Sequence, residues 1–154
     1  MDRYGNINTT VIGDHDLPKV RLPGSGGAND VGSFSQRLII IIANQTKRTF
    51  VSQVDFLTTP GYLGGPGGRE RAGLPAGSGP YRLITQLGIY GFDEETKVLK
   101  LISLHPGVSI ADVKENSSFE IIIPDKVETS PEPTEEHLRI LREEIDPVGI
   151  VLGK

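Results

Sequence analysis

The sequence of 154 residues has no cysteine, no tryptophan and only three histidines, His15, His105 and His137. Without cysteine there is no disulfide framework, no thiolate zinc site and no cysteine nucleophile. Histidines so far apart in sequence argue against a His-based metal cluster, so no metal site is expected. Basic charge is also short, with 16 Lys and Arg against 20 Asp and Glu and a formal net charge of -4. A nucleic-acid binder needs a basic face to neutralise phosphates, so nucleic acid is not an expected partner. Long apolar runs are missing too. The longest, Leu38 to Ala43, is far below the ~20 residues that cross a bilayer, and no membrane association is expected. The opening residues Met1-Asp2-Arg3-Tyr4-Gly5-Asn6 form no apolar targeting segment, and the sequence reads as that of a soluble, cytoplasmic protein.

What the sequence has in excess is glycine and proline. Its 19 glycines and 11 prolines make up nearly a fifth of the chain, against roughly 12% in average usage. The length suits one domain with a real core. Ile7 to Ile12 and Lys19 to Leu22 read as short extended pieces, and the second stops at Pro23. A glycine loop, Gly24-Ser25-Gly26-Gly27-Ala28-Asn29-Asp30, leads into a short helix over Val31 to Gln36. The β-branched run Leu38 to Ala43 predicts a strand buried on both faces. Thr49 to Thr58 predicts another strand. Pro60 to Pro80 holds eight glycines and four prolines around Arg69-Glu70-Arg71, a long loop of the kind that is functional or disordered.

Tyr81 to Tyr90 and Val98 to Leu104 read as paired strands joined by a polar turn. Ser109 is placed to cap a helix over Ile110 to Asn116. Phe119 to Ile123 predicts the final strand. Residues 1–128 are expected to form the core, and 129–154 a Pro-rich spacer and C-terminal docking helix. There Thr134 caps Glu135 to Ile145, and Leu138, Leu141 and Ile145 recur at helical spacing. A single apolar stripe implies a helix that docks on something.

The glycine loop is the first chemical candidate. Glycines between a strand end and a helix leave backbone N–H groups unshielded, able to hold a phosphate or the oxyanion of a thioester adduct. Asn29 stands where a dinucleotide fingerprint needs its third glycine, and no Gly-Lys-Ser/Thr follows as in a P-loop. A tight turn that needs positive φ would explain the same glycines. Asn29 can orient a carbonyl or cap the helix, and Asp30 can cap it or grip a partner group. His105, in Leu104-His105-Pro106-Gly107, is either a general acid or base or a turn residue. Arg69 and Arg71 are either a phosphate clamp or solvated loop charges. Asp55, between Val54 and Phe56, must be paired or poised if it lies in an apolar strand. The acid pairs Glu94-Glu95, Glu135-Glu136 and Glu143-Glu144 read as solvated surface.

Four blocks come in a fixed order: Asp2-Arg3-Tyr4-Gly5-Asn6-Ile7-Asn8, Leu22 to Asp30, Val54-Asp55-Phe56-Leu57-Thr58-Thr59-Pro60-Gly61, and Leu104-His105-Pro106-Gly107-Val108. This series resembles the second half of the beta subunit of family I coenzyme A transferases, most like those named for glutaconate, from Asp2 to about Pro147. The resemblance implies an open mixed α/β sheet sandwiched by helices, the CoA-transferase fold present in part. It implies coenzyme A as substrate with no permanently bound cofactor, and as partners an acyl-CoA, an alpha subunit and the N-terminal half of the beta subunit. In that family a beta-subunit glutamate attacks the acyl-CoA thioester, giving a glutamyl anhydride and then a glutamyl-CoA thioester. The resemblance puts the oxyanion and thioester loop at Gly24, Ser25, Gly26, Gly27 and Ala28, supported by Asn29 and Asp30. The family's nucleophile lies upstream of the Tyr-Gly-Asn motif, which begins here at Tyr4. No glutamate of this sequence inherits that role, so the chain alone is expected not to transfer CoA. Apolar surface beside Leu38 to Ala43 is expected to drive association. The same scaffold also hosts a steroid ring-opening hydrolase and a decarboxylase of glutaconyl-CoA-like thioesters. A non-catalytic structural half-domain is the remaining alternative.

Overall fold

The computed structural model describes residues 1–151. The last three residues of the expected C-terminal region, 152–154, lie outside them. The chain starts with a small antiparallel pair, β1 (Val11–Gly13) and β2 (Pro18–Arg21). Helix α1 (Ala28–Phe34) follows the glycine loop and leads into β3 (Leu38–Ile42). A short helix α2 (Gly68–Arg71) precedes three strands, β4 (Pro80–Thr85), β5 (Gly88–Phe92) and β6 (Leu99–Leu104). Then come helix α3 (Ile110–Glu115), strand β7 (Glu128–Thr129) and helix α4 (Glu135–Arg139), which continues as a π-helical turn over Ile140–Ile145. Strands β3 to β7 form one mixed sheet in the order β3-β4-β5-β6-β7. The pairs β3–β4 and β6–β7 are parallel, and β4–β5 and β5–β6 are antiparallel. No described helix is long and apolar enough to cross a membrane.

Local chemistry sets most of these elements. Ser109 caps α3 and Asp112 returns the bond to the Ser109 amide at 2.8 Å, closing a capping box. Asp93 accepts from the Glu95 and Thr96 amides and the Thr96 hydroxyl, which shapes the β5–β6 turn. The sequence predicts one strand from Tyr81 to Tyr90. The structure breaks it at Gln86-Leu87 into the hairpin β4–β5, because the Thr85 hydroxyl takes the Leu87 amide.

The core lies on one face of the sheet. Ile40, Leu83, Tyr90 and Leu101 face it from successive strands, and Val113, Phe50 and Phe119 pack against them. Here the expectation for Leu38 to Ala43 fails. Only Ile40 is buried, while Ile39 is 57% and Ile41 75% exposed, because β3 is an edge strand and no described segment covers its other face. Two further predicted strands are absent. Thr49 to Thr58 is a run of turns pinned by the buried Phe50 and by the Val51 amide on Met1 O. Phe119 to Ile123 makes only an isolated bridge, Ile122 to Lys100, since its phenylalanine turns inward onto Phe50 at 5.9 Å. The last strand is instead β7.

Candidate functional site

Two of the sequence blocks tie into one knot. Asp2 is buried and accepts from the amides of Tyr4 and Asn6 and from Asn6 Nδ2. Asn6 Oδ1 in turn accepts from the Gly61 amide at 2.9 Å and the Leu63 amide at 3.0 Å. Ile7 pairs with Thr59 through backbone bonds in both directions. Gly61 is indispensable to this crossing for space alone. A Cβ there would stand 2.3 Å from both the Gly5 carbonyl carbon and the Tyr4 carbonyl oxygen.

The glycine loop hangs from that knot. The Gly24 amide donates to Thr9 O at 2.7 Å and the Thr9 hydroxyl donates to Gly24 O at 2.8 Å. Further on, Asn29 Nδ2 donates to Thr58 O at 2.7 Å, and the Ala28 amide donates back to Ser25 O. Gly24 and Gly26 take positive φ, 93° and 49°, so part of the glycine content is conformational. Gly27 differs. Its φ is -82°, open to any residue, and no atom lies within 4 Å of where a Cβ would sit on Gly24, Gly26 or Gly27. Among the described residues, the amides of Ser25, Gly26 and Gly27 meet no acceptor. Two of the five loop amides singled out in the sequence, those of Gly24 and Ala28, are therefore already engaged, and three are open.

Asn29 and Asp30 lie inside α1 rather than at its cap, which is Gly27. Asn29 is a loop anchor through Thr58, and the exposed Asp30 side chain makes no hydrogen bond among the described residues. The anchoring threonines, Thr9 and Thr58, are missed by sequence reasoning. Thr58 was visible as the end of the predicted strand Thr49 to Thr58 and as a member of the Val54 to Gly61 block, but not as an anchor.

Arg69 corrects both of its sequence readings. It is neither solvated nor a clamp for phosphate, being 1% exposed. Its guanidinium donates to Pro60 O, Gly61 O, Gly32 O, Ser33 O and Ser78 Oγ, all between 2.9 and 3.3 Å. Every donor is thus spent on holding the end of α1, the Pro60–Gly61 turn and the Gly77–Gly79 segment together. Burial pushes its pKa down from the ordinary value, opposed by Tyr62 and Glu70. No carboxylate pairs with it among the described residues. The glycine-rich stretch from Pro60 to Pro80 is therefore organised around one buried cation. Arg71 does remain at the surface, on Pro66 O.

His105 is a structural tie. Its Nε2 donates to Thr85 O at 2.9 Å and its Nδ1 meets Ser130 Oγ at 2.8 Å, so β6, β4 and the chain after β7 are joined. Asp55 is not in a strand. It is exposed and accepts from the Gly13 amide at 2.8 Å, steadying the β1–β2 hairpin. Below that hairpin lies a groove of about 400 Å³ walled by Ile7, Ile12, Leu22, Ile42, Val51 and Val54. It borders the open edge of β3 and the strand end from which the glycine loop starts.

The chain resembles known proteins. A family model described as Coenzyme A transferase matches residues 1–116, a span that contains all four sequence blocks. The beta subunit of glutaconate CoA-transferase from Acidaminococcus fermentans is 44% identical over 148 residues, 96% of this chain and 54% of that protein. The beta subunit of 3-oxoadipate CoA-transferase from Pseudomonas knackmussii is also 44% identical, over 142 residues, 92% of this chain and 54% of that protein. The crystal structure of glutaconate coenzyme A-transferase from A. fermentans aligns with a TM-score of 0.89 at 44% identity, covering 96% of this chain and 55% of that chain. The chain therefore spans about half the length of the curated relatives it matches. With the family model covering residues 1–116 and these relatives 44% identical, the chain belongs to the coenzyme A transferase family.

Proposed function

We propose that this chain supplies the thioester-binding loop of a heteromeric CoA-transferase, which moves CoA between an acyl-CoA and a mono- or dicarboxylic acid. The observation that carries the reading is the row of three unengaged amides at Ser25, Gly26 and Gly27, beside glycines with open space around them. Nothing inside the described chain requires a glycine at Gly27. A ligand that must approach the backbone closely would require it. When a carboxylate attacks a thioester carbonyl, negative charge gathers on the carbonyl oxygen, and fixed N–H donors aimed at that oxygen lower the barrier. One such donor is typically worth ~10²–10³ in rate.

The attacking glutamate comes from outside this chain. The first glutamate of the sequence is Glu70, so the segment that builds the knot and the loop holds none. The acyl group would pass to that glutamate as an anhydride while CoA thiolate leaves. Thiolate then attacks the anhydride at the glutamyl carbonyl, releasing the acyl group as a carboxylate and leaving a glutamyl-CoA thioester. The partners are an alpha subunit and the N-terminal half of a beta subunit, with coenzyme A entering as substrate and no resident cofactor. We place the reaction in the cytoplasm.

The test is CoA transfer from an acyl-CoA to a dicarboxylate. It is run with the chain alone, then with an alpha subunit and a chain covering the absent half of the relatives' length. Transfer is expected only in the combination, with borohydride reduction marking a glutamate of the added chain. Transfer by this chain alone would overturn the placement of the nucleophile. An intact complex without transfer would overturn the reaction.

A further inference from the structure

Two neighbouring threonines of the Val54 to Gly61 block are buried alike and bonded differently. Thr58 and Thr59 are both shielded from solvent. The Thr59 hydroxyl has no hydrogen-bond partner among the described residues. The Thr58 hydroxyl accepts from the Thr9 amide at 2.9 Å and lies 2.7 Å from the Thr10 hydroxyl. Were Thr10 the donor of that second bond, the Thr58 proton would be buried without an acceptor, which is costly. Thr58 therefore donates to Thr10.

The residues that Thr58 holds are those that hold the glycine loop. Thr9 grips both backbone groups of Gly24, its carbonyl taking the Gly24 amide and its hydroxyl donating to Gly24 O. Thr10 O takes the Leu22 amide at 2.8 Å. The start of the loop is thus laced to Thr9 and Thr10, and these two to Thr58 Oγ1. The end of the loop reaches the same residue by a different atom, Thr58 O, through Asn29 Nδ2 at 2.7 Å. Thr58 is itself fixed, its amide donating to Ile7 O at 2.9 Å. The open amides of Ser25, Gly26 and Gly27 lie between the two attachments. A loop tied at one end swings, whereas one tied at both ends to a single buried residue keeps its donors in place.

We propose that Thr58 is the positioning residue of the glycine loop, its hydroxyl acting through Thr9 and Thr10 and its carbonyl through Asn29. It holds the open amides where a thioester oxygen is received. That last step rests on the CoA-transferase reading; the positioning itself rests on the hydrogen bonds. Donors fixed beforehand need no reorganisation as charge develops, and a misplacement of ~1 Å can cost ~10²-fold in rate.

The test compares three variants with the native chain. Thr58→Val removes the hydroxyl but keeps the carbonyl and the shape, and Thr58→Ser restores the hydroxyl. Thr59→Val removes the neighbouring hydroxyl that has no partner and is the control. In the full chain, the heteronuclear NOEs of the Ser25, Gly26 and Gly27 amides are expected to fall in Thr58→Val, with those of the sheet unchanged. They should stay native in Thr58→Ser and Thr59→Val. CoA transfer is then measured in the complex with an alpha subunit and the complementary beta half. There kcat is expected to fall about tenfold in Thr58→Val, with KM for the acyl-CoA within about twofold, because the misplaced donors serve the transition state. Thr58→Ser should recover most of kcat and Thr59→Val should keep it. Asn29→Ala releases the other attachment, carries the same expectations as Thr58→Val, and stands in for it if that variant does not fold. Native NOEs in Thr58→Val would overturn the proposal, as would a native kcat in an intact complex. Equal losses in Thr59→Val would also overturn it, since any buried change in this turn would then do the same. A native complex without transfer would overturn the CoA-transferase reading instead, and the NOEs would still decide whether Thr58 sets the loop.

Discussion

Gly61 and Gly27 belong to neighbouring motifs and have opposite surroundings. At Gly61 two backbone atoms lie 2.3 Å from where a Cβ would be, and Gly32 meets Thr59 Cγ2 as closely. At Gly27 there is nothing within 4 Å. The knot uses glycine so that two chain segments can cross. The loop keeps glycine where the chain itself makes no such demand. The first kind of glycine is explained by folding, and for the second no described atom gives such a reason. On the proposed reading, fold and function separate within about forty residues.

Substitutions should reproduce that division. Gly61→Ala is expected to cost the most, about 3 kcal/mol or more, because backbone on both sides cannot give way. Its thermal unfolding would fall sharply or the protein would not fold. Arg69→Met comes next. It keeps the stem but strands four carbonyls and the Ser78 hydroxyl, at a cost of about 3 kcal/mol in denaturant titration. Asn29→Ala removes the 2.7 Å bond to Thr58 O and should cost about 1 kcal/mol. It should also raise amide exchange through residues 24–30 without loosening the sheet.

Acid should act gently and away from the loop. Asp112 is held below the usual carboxylate range by the Ser109 hydroxyl and then by the Ser109 amide, and Asp93 by the Thr96 amide and hydroxyl. Their stabilisation is complete above the unfolded carboxylate pKa of ~3.9 and is lost as pH falls through the lower folded values. A pH titration followed by nuclear magnetic resonance should show α3 and the β5–β6 turn responding below about pH 4. Gly27→Ala should change stability least, by within ~0.5 kcal/mol.

Much of this was legible in the residues. The β5–β6 turn, the Ser109 and Thr134 caps and the strand at Leu38 carry local chemical signals that the structure keeps. What was not legible depends on contacts far apart in sequence. Arg69 looks solvated because its neighbours are Gly, Glu and Arg, yet its five acceptors are supplied by residues from Gly32 to Ser78. Thr49 to Thr58 has a strand-like composition, but the demand of Phe50 for the core and of Thr58 for the knot bends it into turns. The run Leu38 to Ala43 has the composition of a strand covered on both sides, and here one side is bare. The glycine loop could be found by sequence. Which of its amides are open could not, because Thr9 and Ser25 compete for two of them.

The comparison rests most directly on Gly27→Ala in the assembled enzyme. The chain is combined with an alpha subunit and the complementary beta half, and the mass of the complex is checked before CoA transfer is measured. The account predicts an intact complex of native stability whose transfer rate falls at least ~10-fold, as expected when a side chain crowds an oxyanion donor. Unchanged transfer in an equally intact complex would contradict it, and the open amides of the loop would then have no part in the reaction.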